Sequence, residues 1–138
     1  MLKSYYIAYG SNLNFDQMKR RCPTAKFAGT SVIKGYRLTF RGCATIEPFS
    51  EASVPVGIWI IDQNAEKALD KYEGFPVYYR KEYMSITLDY KAITAMVYIM
   101  NEDMRSCNRP TDSYFNIIVQ GYRDAGLDKT YLYEALNR

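Results

Sequence analysis

The stretch Tyr5-Tyr6-Ile7-Ala8-Tyr9-Gly10-Ser11-Asn12-Leu13 begins as an aromatic and apolar run and ends at a Gly-Ser-Asn corner. Tyrosine and isoleucine suit a pleated, mostly buried surface, so residues 5–9 predict a buried strand. Gly10 allows the backbone to turn where a Cβ would clash, and Ser11 and Asn12 can hydrogen-bond locally or cap the next segment. The stretch therefore predicts an N-terminal strand that leads into a tight loop.

A short helix is predicted directly after this corner. Phe15, Met18 and Cys22 follow helical spacing, and Pro23 ends the pattern. A strand, a glycine corner and a helix start can direct successive backbone N–H groups to one point, which favours a carboxylate or a phosphate. A simple turn with a helix cap is the alternative interpretation. Neither of the glycine-rich phosphate-loop patterns is present, so a nucleotide site is not indicated.

The composition is that of one globular domain spanning residues 1–138. The chain has 138 residues, of which 48% are hydrophobic and 24% are charged, enough for a core of its own. The start Met1-Leu2-Lys3-Ser4 is too short and polar for a secretory signal, and no apolar run is long enough to span a bilayer. We therefore expect a soluble cytoplasmic protein without a membrane partner.

The absence of histidine narrows the possible chemistry. It excludes Ser-His and Cys-His nucleophilic systems and histidine-ligated metals. Acid–base chemistry must then come from a carboxylate, lysine, tyrosine or cysteine. Cys22, Cys43 and Cys107 are widely spaced and odd in number, which argues against a disulfide framework and a structural zinc site. Each is expected to be a small buried or half-buried residue, and no metal site is predicted.

A basic run from Lys19 to Arg41 contains no acidic residue. Because Phe27, Tyr36 and Phe40 lie between its cations, the run could bind RNA through phosphates and stacked bases. No RNA-binding motif accompanies it, and alternation along a strand sends neighbouring cations to different faces. The run is therefore predicted to be solvated surface, and no nucleic-acid partner is expected.

The middle of the chain predicts two strands and a helix. Residues 31–40 alternate as a strand with a bulge at Gly35, residues 42–53 are expected to be an irregular excursion, and residues 54–61 form a continuous apolar run typical of a central strand. Residues 65–72 follow helical spacing, with Asp62 or Asn64 as the cap and Gly74 and Pro76 at the end.

Glu73 is the unusual residue of this helix. It lies four positions after Leu69, so it continues the apolar face. A carboxylate on that face is costly unless it is paired or protonated, and desolvation would raise its pKa. The alternative is that the last turn frays and Glu73 points outward.

The last third predicts a hairpin and two helices. Residues 81–88 and 92–99 are strand-like and are joined at Asp89-Tyr90-Lys91, followed by a polar loop over residues 101–110. A helix begins near Thr111 or Asp112 and stops before Gly126, and a short helix starts at Asp128. Together these elements predict an α+β fold with a mixed, largely antiparallel sheet.

Three motifs resemble those of the γ-glutamylcyclotransferase-like family. Tyr9-Gly10-Ser11-Asn12-Leu13 after an apolar strand is similar to the family's first signature, and Leu69-Asp70-Lys71-Tyr72-Glu73-Gly74 resembles its second. Pro110-Thr111-Asp112-Ser113-Tyr114 is similar to the Pro-x-x-x-Tyr turn before the family's late helix. Their order and spacing agree over nearly the whole chain, whereas residues 42–53 show no diagnostic pattern.

The resemblance implies a fold, a reaction and a set of site residues. The fold would be a small β-barrel flanked by short helices, with the Gly10 loop and Glu73 at the mouth of a cavity. The reaction would release 5-oxoproline from a γ-glutamyl amine or γ-glutamyl amino acid, without a metal or other cofactor, by attack of the α-amine on the γ-carbonyl. Glu73 matches the family's catalytic acid/base, and the substrate-binding positions that match are Tyr9, Gly10, Ser11, Asn12, Leu13, Tyr98 and Tyr114.

Three other interpretations stay open at this point. They are a non-catalytic small-molecule binder, a basic RNA-binding module and a tyrosine-rich interaction protein. Tyr98 and Tyr114 could also be core tyrosines with satisfied hydroxyls. The sequence specifies neither the leaving amine nor the oligomeric state.

Overall fold

A computed structural model describes residues 2–138, in which five strands and four helices follow one another along the chain. These elements are β1 (Lys3–Ala8), α1 (Phe15–Arg21), β2 (Lys26–Arg41), β3 (Cys43–Asp62), α2 (Gln63–Glu73), β4 (Tyr79–Leu88), β5 (Lys91–Met100), α3 (Asp112–Ala125) and α4 (Thr130–Leu136). The strands form one sheet in the order β2-β3-β1-β5-β4. β1 pairs with β5 in parallel, and the other neighbours are antiparallel. The predicted α+β class with a mixed, largely antiparallel sheet is therefore confirmed.

The sheet curves but does not close. The edge strands β2 and β4 approach each other where the Ser31 hydroxyl donates to the Thr87 carbonyl over 2.5 Å. No β-ladder joins these two strands within residues 2–138. The term barrel therefore describes this open, curved sheet only loosely.

Residues 43–53 differ from their sequence-based prediction. They form the first part of β3 and pair with β2 from Arg41↔Cys43 to Tyr36↔Pro48, and the pairing resumes at Lys34↔Ser53. The predicted irregular excursion is therefore wrong for residues 43–48, whereas residues 49–52 interrupt the ladder. Most side chains from Glu47 to Glu51 are exposed, which leaves no apolar alternation to indicate a strand. The register of the pairing shifts between Lys34 and Tyr36, which confirms the predicted bulge at Gly35.

Helix α2 is fixed at both ends. The Asp62 side chain accepts the Ala65 N–H over 2.8 Å, so Asp62 is the cap, and Leu69 is fully buried on the apolar face. Gly74 ends the helix in the left-handed conformation at φ 65°, which glycine adopts without steric cost. Glu73 is consequently the last residue of an ordered helix, held beside the sheet.

Helix α3 packs directly against the corner that follows β1. Thr111 caps the helix by accepting the Tyr114 N–H, and Gly126 ends it, as the sequence predicts. A Cβ on Gly121 would lie 2.7 Å from the Asn14 nitrogen and 2.8 Å from the Leu13 Cβ. Only a glycine lets the 3-10 turn Ser11–Leu13 lie this close to the helix.

Two of the three cysteines are more exposed than expected. Cys22 is buried, whereas Cys43 and Cys107 are exposed, so the prediction of buried or half-buried cysteines is wrong for these two. Both lie outside the apolar core, Cys43 directly after the Gly42 turn and Cys107 in the polar loop before α3. No helix within residues 2–138 is long and apolar enough to cross a bilayer.

Candidate active site

A cavity of about 250 Å³ lies where the end of β1, the end of α2, the start of β3 and the start of α3 meet. Its wall is strongly aromatic, and six tyrosines contribute to it. The lining residues are Tyr6, Ile7, Tyr9, Gly10, Ser11, Asn12, Cys43, Ala44, Tyr72, Glu73, Tyr79, Tyr98 and Tyr114.

The fold brings seven of the eight predicted site residues to this cavity: Tyr9, Gly10, Ser11, Asn12, Glu73, Tyr98 and Tyr114. Leu13 is the exception. Its side chain is fully buried, and its Cδ2 would lie 2.7 Å from a Cβ on Gly57. Leu13 therefore packs in the core below the cavity and supports the loop from behind.

The loop backbone after Tyr9 forms a tight turn. The Leu13 N–H donates to the Gly10 carbonyl over 3.0 Å, and the Asn14 N–H donates to the Ser11 carbonyl over 3.0 Å. Among residues 2–138, the N–H groups of Ser11 and Asn12 have no acceptor. The predicted cradle of N–H groups is thus narrower than Gly10 to Leu13, because the Leu13 N–H is already bonded.

Asn12 is buried and bonded through each of its polar side-chain atoms. Its Nδ2 donates to the Tyr6 hydroxyl over 2.9 Å and to Glu73 Oε1 over 3.3 Å, while its Oδ1 accepts from the Arg21 guanidinium. The backbone carbonyl of Asn12 accepts Trp59 Nε1 over 3.0 Å. These bonds fix the Asn12 side chain between α1 and the carboxyl group of α2.

Glu73 places its carboxyl group in the cavity wall beside Asn12. Burial raises the pKa of Glu73 to about 7, and the nearby positive charge of Arg21 opposes that rise. The position of Glu73 on the apolar face of α2 predicts this direction. Near neutral pH the carboxyl is therefore present in both protonation states, which suits a group that takes up a proton and returns it.

The tyrosines contribute mainly their rings, because several hydroxyls bond to the protein. Tyr9 donates to the Tyr98 carbonyl over 2.6 Å, and Tyr79 donates to the Ala44 carbonyl over 2.7 Å. The Tyr98 hydroxyl donates to Asp70 Oδ1 over 2.5 Å, so it is directed to α2. Tyr98 therefore lines the cavity with its ring while its hydroxyl is satisfied.

Tyr114 and Tyr6 differ from Tyr9, Tyr79 and Tyr98, because their hydroxyls accept hydrogen bonds from the protein. The Tyr114 hydroxyl accepts the Ala44 N–H over 3.1 Å, and the thiol of Cys43, a weak acceptor, lies beside it. Burial raises the pKa of Tyr114 well above its usual value, so the hydroxyl keeps its proton. Tyr114 can therefore donate a hydrogen bond to a bound molecule.

Asp70 and Arg21 belong to the site although the sequence-based site prediction did not include them. Asp70 accepts the Tyr98 hydroxyl and lies 2.8 Å from Lys81 Nζ, which fastens α2 to β5 and β4 one turn before Glu73. The second signature contains Asp70, which is the signal that could have identified it. Arg21 was assigned to the basic surface run, but it is half-buried against Tyr72 and Asn12, so the surface prediction is wrong at this position.

Metal coordination has no obvious place among the described residues. Residues 2–138 contain no group of three or more cysteine, aspartate or glutamate side chains that could hold a metal ion.

Comparison with known proteins relates this geometry to a family. A sequence model of the family "Gamma-glutamyl cyclotransferase, AIG2-like" matches residues 6–116. The chain is 28% identical to the γ-glutamylcyclotransferases of Mus musculus and Homo sapiens over 140 residues, covering 91% of this chain and 73% of each relative.

Solved structures show the same fold. A γ-glutamyl cyclotransferase structure matches with a TM-score of 0.86 at 24% identity, covering 97% of this chain and 86% of that chain. YkqA from Bacillus subtilis matches with a TM-score of 0.80 at 20% identity, covering 99% of this chain and 55% of its own. The family match spans most of the chain, including the loop after β1 and the end of α2, and the chain therefore belongs to the γ-glutamyl cyclotransferase, AIG2-like family.

Proposed function

We propose that the protein is a cyclotransferase that releases 5-oxoproline from a γ-glutamyl amine or γ-glutamyl amino acid. The observation that supports this most strongly is Glu73, whose pKa is raised to about 7 and whose carboxyl opens onto the same cavity as the loop after Tyr9. The names of the curated relatives support a γ-glutamyl substrate.

Substrate binding is proposed to begin at the loop. The α-carboxylate of the γ-glutamyl group accepts hydrogen bonds from the Ser11 and Asn12 N–H groups, which have no acceptor among residues 2–138. The Tyr114 hydroxyl, which keeps its proton, donates a hydrogen bond to the bound substrate. The tyrosine rings enclose the aliphatic part of the glutamyl group and bring its two ends together.

The chemical step then uses Glu73 twice. Its carboxylate takes a proton from the α-ammonium, and the freed amine attacks the γ-carbonyl. A carbon–nitrogen bond closes the five-membered ring, Glu73 returns the proton to the departing amine and the γ-amide bond breaks. The ring nitrogen then loses its second proton through Glu73 to the released amine, which departs as an ammonium ion and leaves Glu73 as a carboxylate again. Because the nucleophile and the electrophile share one molecule, holding the substrate in a folded conformation supplies much of the rate. The proposed steps involve no cofactor.

The proposal is tested by incubating the protein with a panel of γ-glutamyl dipeptides and γ-glutamyl amines and detecting 5-oxoproline by mass spectrometry. Wild type should release 5-oxoproline from at least one compound. The control variant Glu134→Gln should do the same, because Glu134 is exposed on α4 and does not line the cavity.

A panel in which no compound yields 5-oxoproline is interpreted together with a binding measurement. Binding of γ-glutamyl compounds without any release of 5-oxoproline would contradict the enzyme and indicate a non-catalytic binder. Calorimetry on the same preparation measures that binding.

A further inference from the structure

Arg21 connects three elements of the site although it does not line the cavity. It is the last residue of α1, and its Nη2 donates to Gln17 Oε1 over 3.0 Å on the same helix. Its Nη1 donates to Asn12 Oδ1, and its Cζ lies 3.4 Å from the centre of the Tyr72 ring on α2. The guanidinium is therefore held between the loop after β1 and the end of α2.

The bond from Arg21 to Asn12 determines how the Asn12 amide is oriented. A guanidinium only donates hydrogen bonds, so the amide oxygen of Asn12 must face Arg21. The amide nitrogen then faces the other way, toward the Tyr6 hydroxyl at 2.9 Å and Glu73 Oε1 at 3.3 Å. With the amide reversed, its oxygen would meet the carboxylate oxygen of Glu73 and the interaction would be repulsive.

Tyr72 extends the same network to the loop. Its hydroxyl lies 2.9 Å from Ser11 Oγ, and its ring lies under the Arg21 guanidinium. A cation over the face of a tyrosine ring is attracted by the ring quadrupole. Arg21 thus contacts both residues that connect the loop to α2, Asn12 by a hydrogen bond and Tyr72 by stacking.

Arg21 also supplies the charge near Glu73. The other titratable groups that interact with Glu73 come from β1, β3, β4, β5 and α3, and partial or full loss of contact with water raises the pKa of each, so they are neutral at pH 7. These groups are Tyr6, Tyr9, Cys43, Tyr79, Tyr98 and Tyr114. Among the described residues, Arg21 is the group whose charge opposes the effect of burial on Glu73.

We infer that Arg21 is the positioning residue of this site: it orients the Asn12 amide toward Glu73 and holds a positive charge beside the Glu73 carboxyl. This inference rests on the proposed function for its catalytic meaning. The contacts of Arg21 with Asn12 and Tyr72 are independent of it.

The test compares three variants with wild type. Arg21→Met removes the charge and the hydrogen bond, and Arg21→Gln removes the charge but keeps an amide that can donate to Asn12. Arg20→Met is the matched control, because Arg20 is exposed and is the adjacent residue on α1. The titration of the Glu73 carboxyl is followed by carbon-13 NMR on labelled protein, with its resonance assigned by its absence in Glu73→Gln.

The midpoint of the Glu73 titration should rise above about 7 in both Arg21 variants and stay unchanged in Arg20→Met. A rise of one pH unit lowers the ionised fraction by up to about tenfold below the midpoint, so kcat/KM should fall by about that factor near pH 6. The loss should shrink near pH 9 in Arg21→Gln. Arg21→Met should stay impaired there, because Asn12 has also lost its orientation.

An unchanged midpoint of the Glu73 titration in Arg21→Gln would overturn the inference. A loss of kcat/KM in Arg21→Gln that is equally large at every pH would also overturn it. If Arg21→Met does not fold, Arg21→Gln decides alone. If wild type releases no 5-oxoproline, the proposed function fails, while the NMR titration still decides whether Arg21 controls the ionisation of Glu73.

Discussion

Replacing Glu73 by glutamine should stabilise the folded protein at about pH 8 and have little effect at about pH 4. The side chain keeps its size and much of its hydrogen bonding, but it can no longer ionise. The expected gain comes from the environment of the carboxyl, which forms part of the cavity wall and lies 3.3 Å from Asn12 Nδ2. In the unfolded chain the same carboxyl is in water.

The size of the effect follows from the pKa of Glu73. Folding raises it from its ordinary value of 4.5 to about 7, and one pKa unit corresponds to about 1.4 kcal/mol. Below 4.5 both states are protonated and the group costs nothing, whereas between 4.5 and about 7 the unfolded state ionises first. Wild type should therefore lose about 3 kcal/mol of stability over this range, and Glu73→Gln should not.

Urea denaturation at both pH values measures this difference directly. The stability of Glu73→Gln relative to wild type should increase by about 3 kcal/mol from about pH 4 to about pH 8. Glu134→Gln, at an exposed site on α4, should show no such increase. If Glu73→Gln is less stable than wild type at about pH 8, Glu73 is a structural partner and our reasoning about its burial is wrong.

Three further predictions concern Gly121 on α3, Gly10 in the loop after β1, and the basic run. Gly121→Ala should lower the free energy of unfolding by about 1–3 kcal/mol in thermal or urea denaturation. The added Cβ would lie 2.7 Å from the Asn14 nitrogen, and this overpacking outweighs the better helix propensity of alanine. Equal or higher stability would contradict the observed contact. Gly10→Val should raise KM, because even its Cβ would lie 3.3 Å from the Ala44 Cβ beside the cavity, and an unchanged KM would count against binding at the loop. A labelled RNA oligonucleotide should show no salt-sensitive micromolar binding in fluorescence anisotropy. Such binding, if abolished by charge reversal at Lys19 and Arg20, would show that the basic run is a nucleic-acid site.

Local sequence signals were sufficient for most of the secondary structure. The cap at Asp62, the left-handed Gly74 and the Thr111 cap each depend on residues within one helical turn. Residues 43–53 were missed because their strand conformation depends on pairing with β2, whereas the three buried side chains at 44–46 and the mostly exposed ones at 47–51 show no alternation. The gap between the edge strands β2 and β4 likewise depends on the curvature of the whole sheet, which no local sequence pattern specifies.

The candidate site shows the same division between local and distant information. The motifs predict two parts of the site, Glu73 and the loop that follows Tyr9, and the fold brings both to one cavity. Leu13 belongs to the same motif but packs in the core, because successive side chains of the 3-10 turn Ser11–Leu13 point roughly 120° apart and that of Leu13 faces Gly57. The role of Arg21 depends on Tyr72, which is distant in the chain, so its place in a run of cations was misleading.

The most direct test of the central claim is 5-oxoproline release by wild type and Glu73→Gln, measured together with thermal stability on the same preparations. We predict that Glu73→Gln folds and still binds a γ-glutamyl compound, while kcat falls by about 10²–10⁴-fold, because one carboxyl serves both proton transfers. Turnover per folded molecule that is retained in Glu73→Gln would contradict the proposed role of Glu73 as the acid/base.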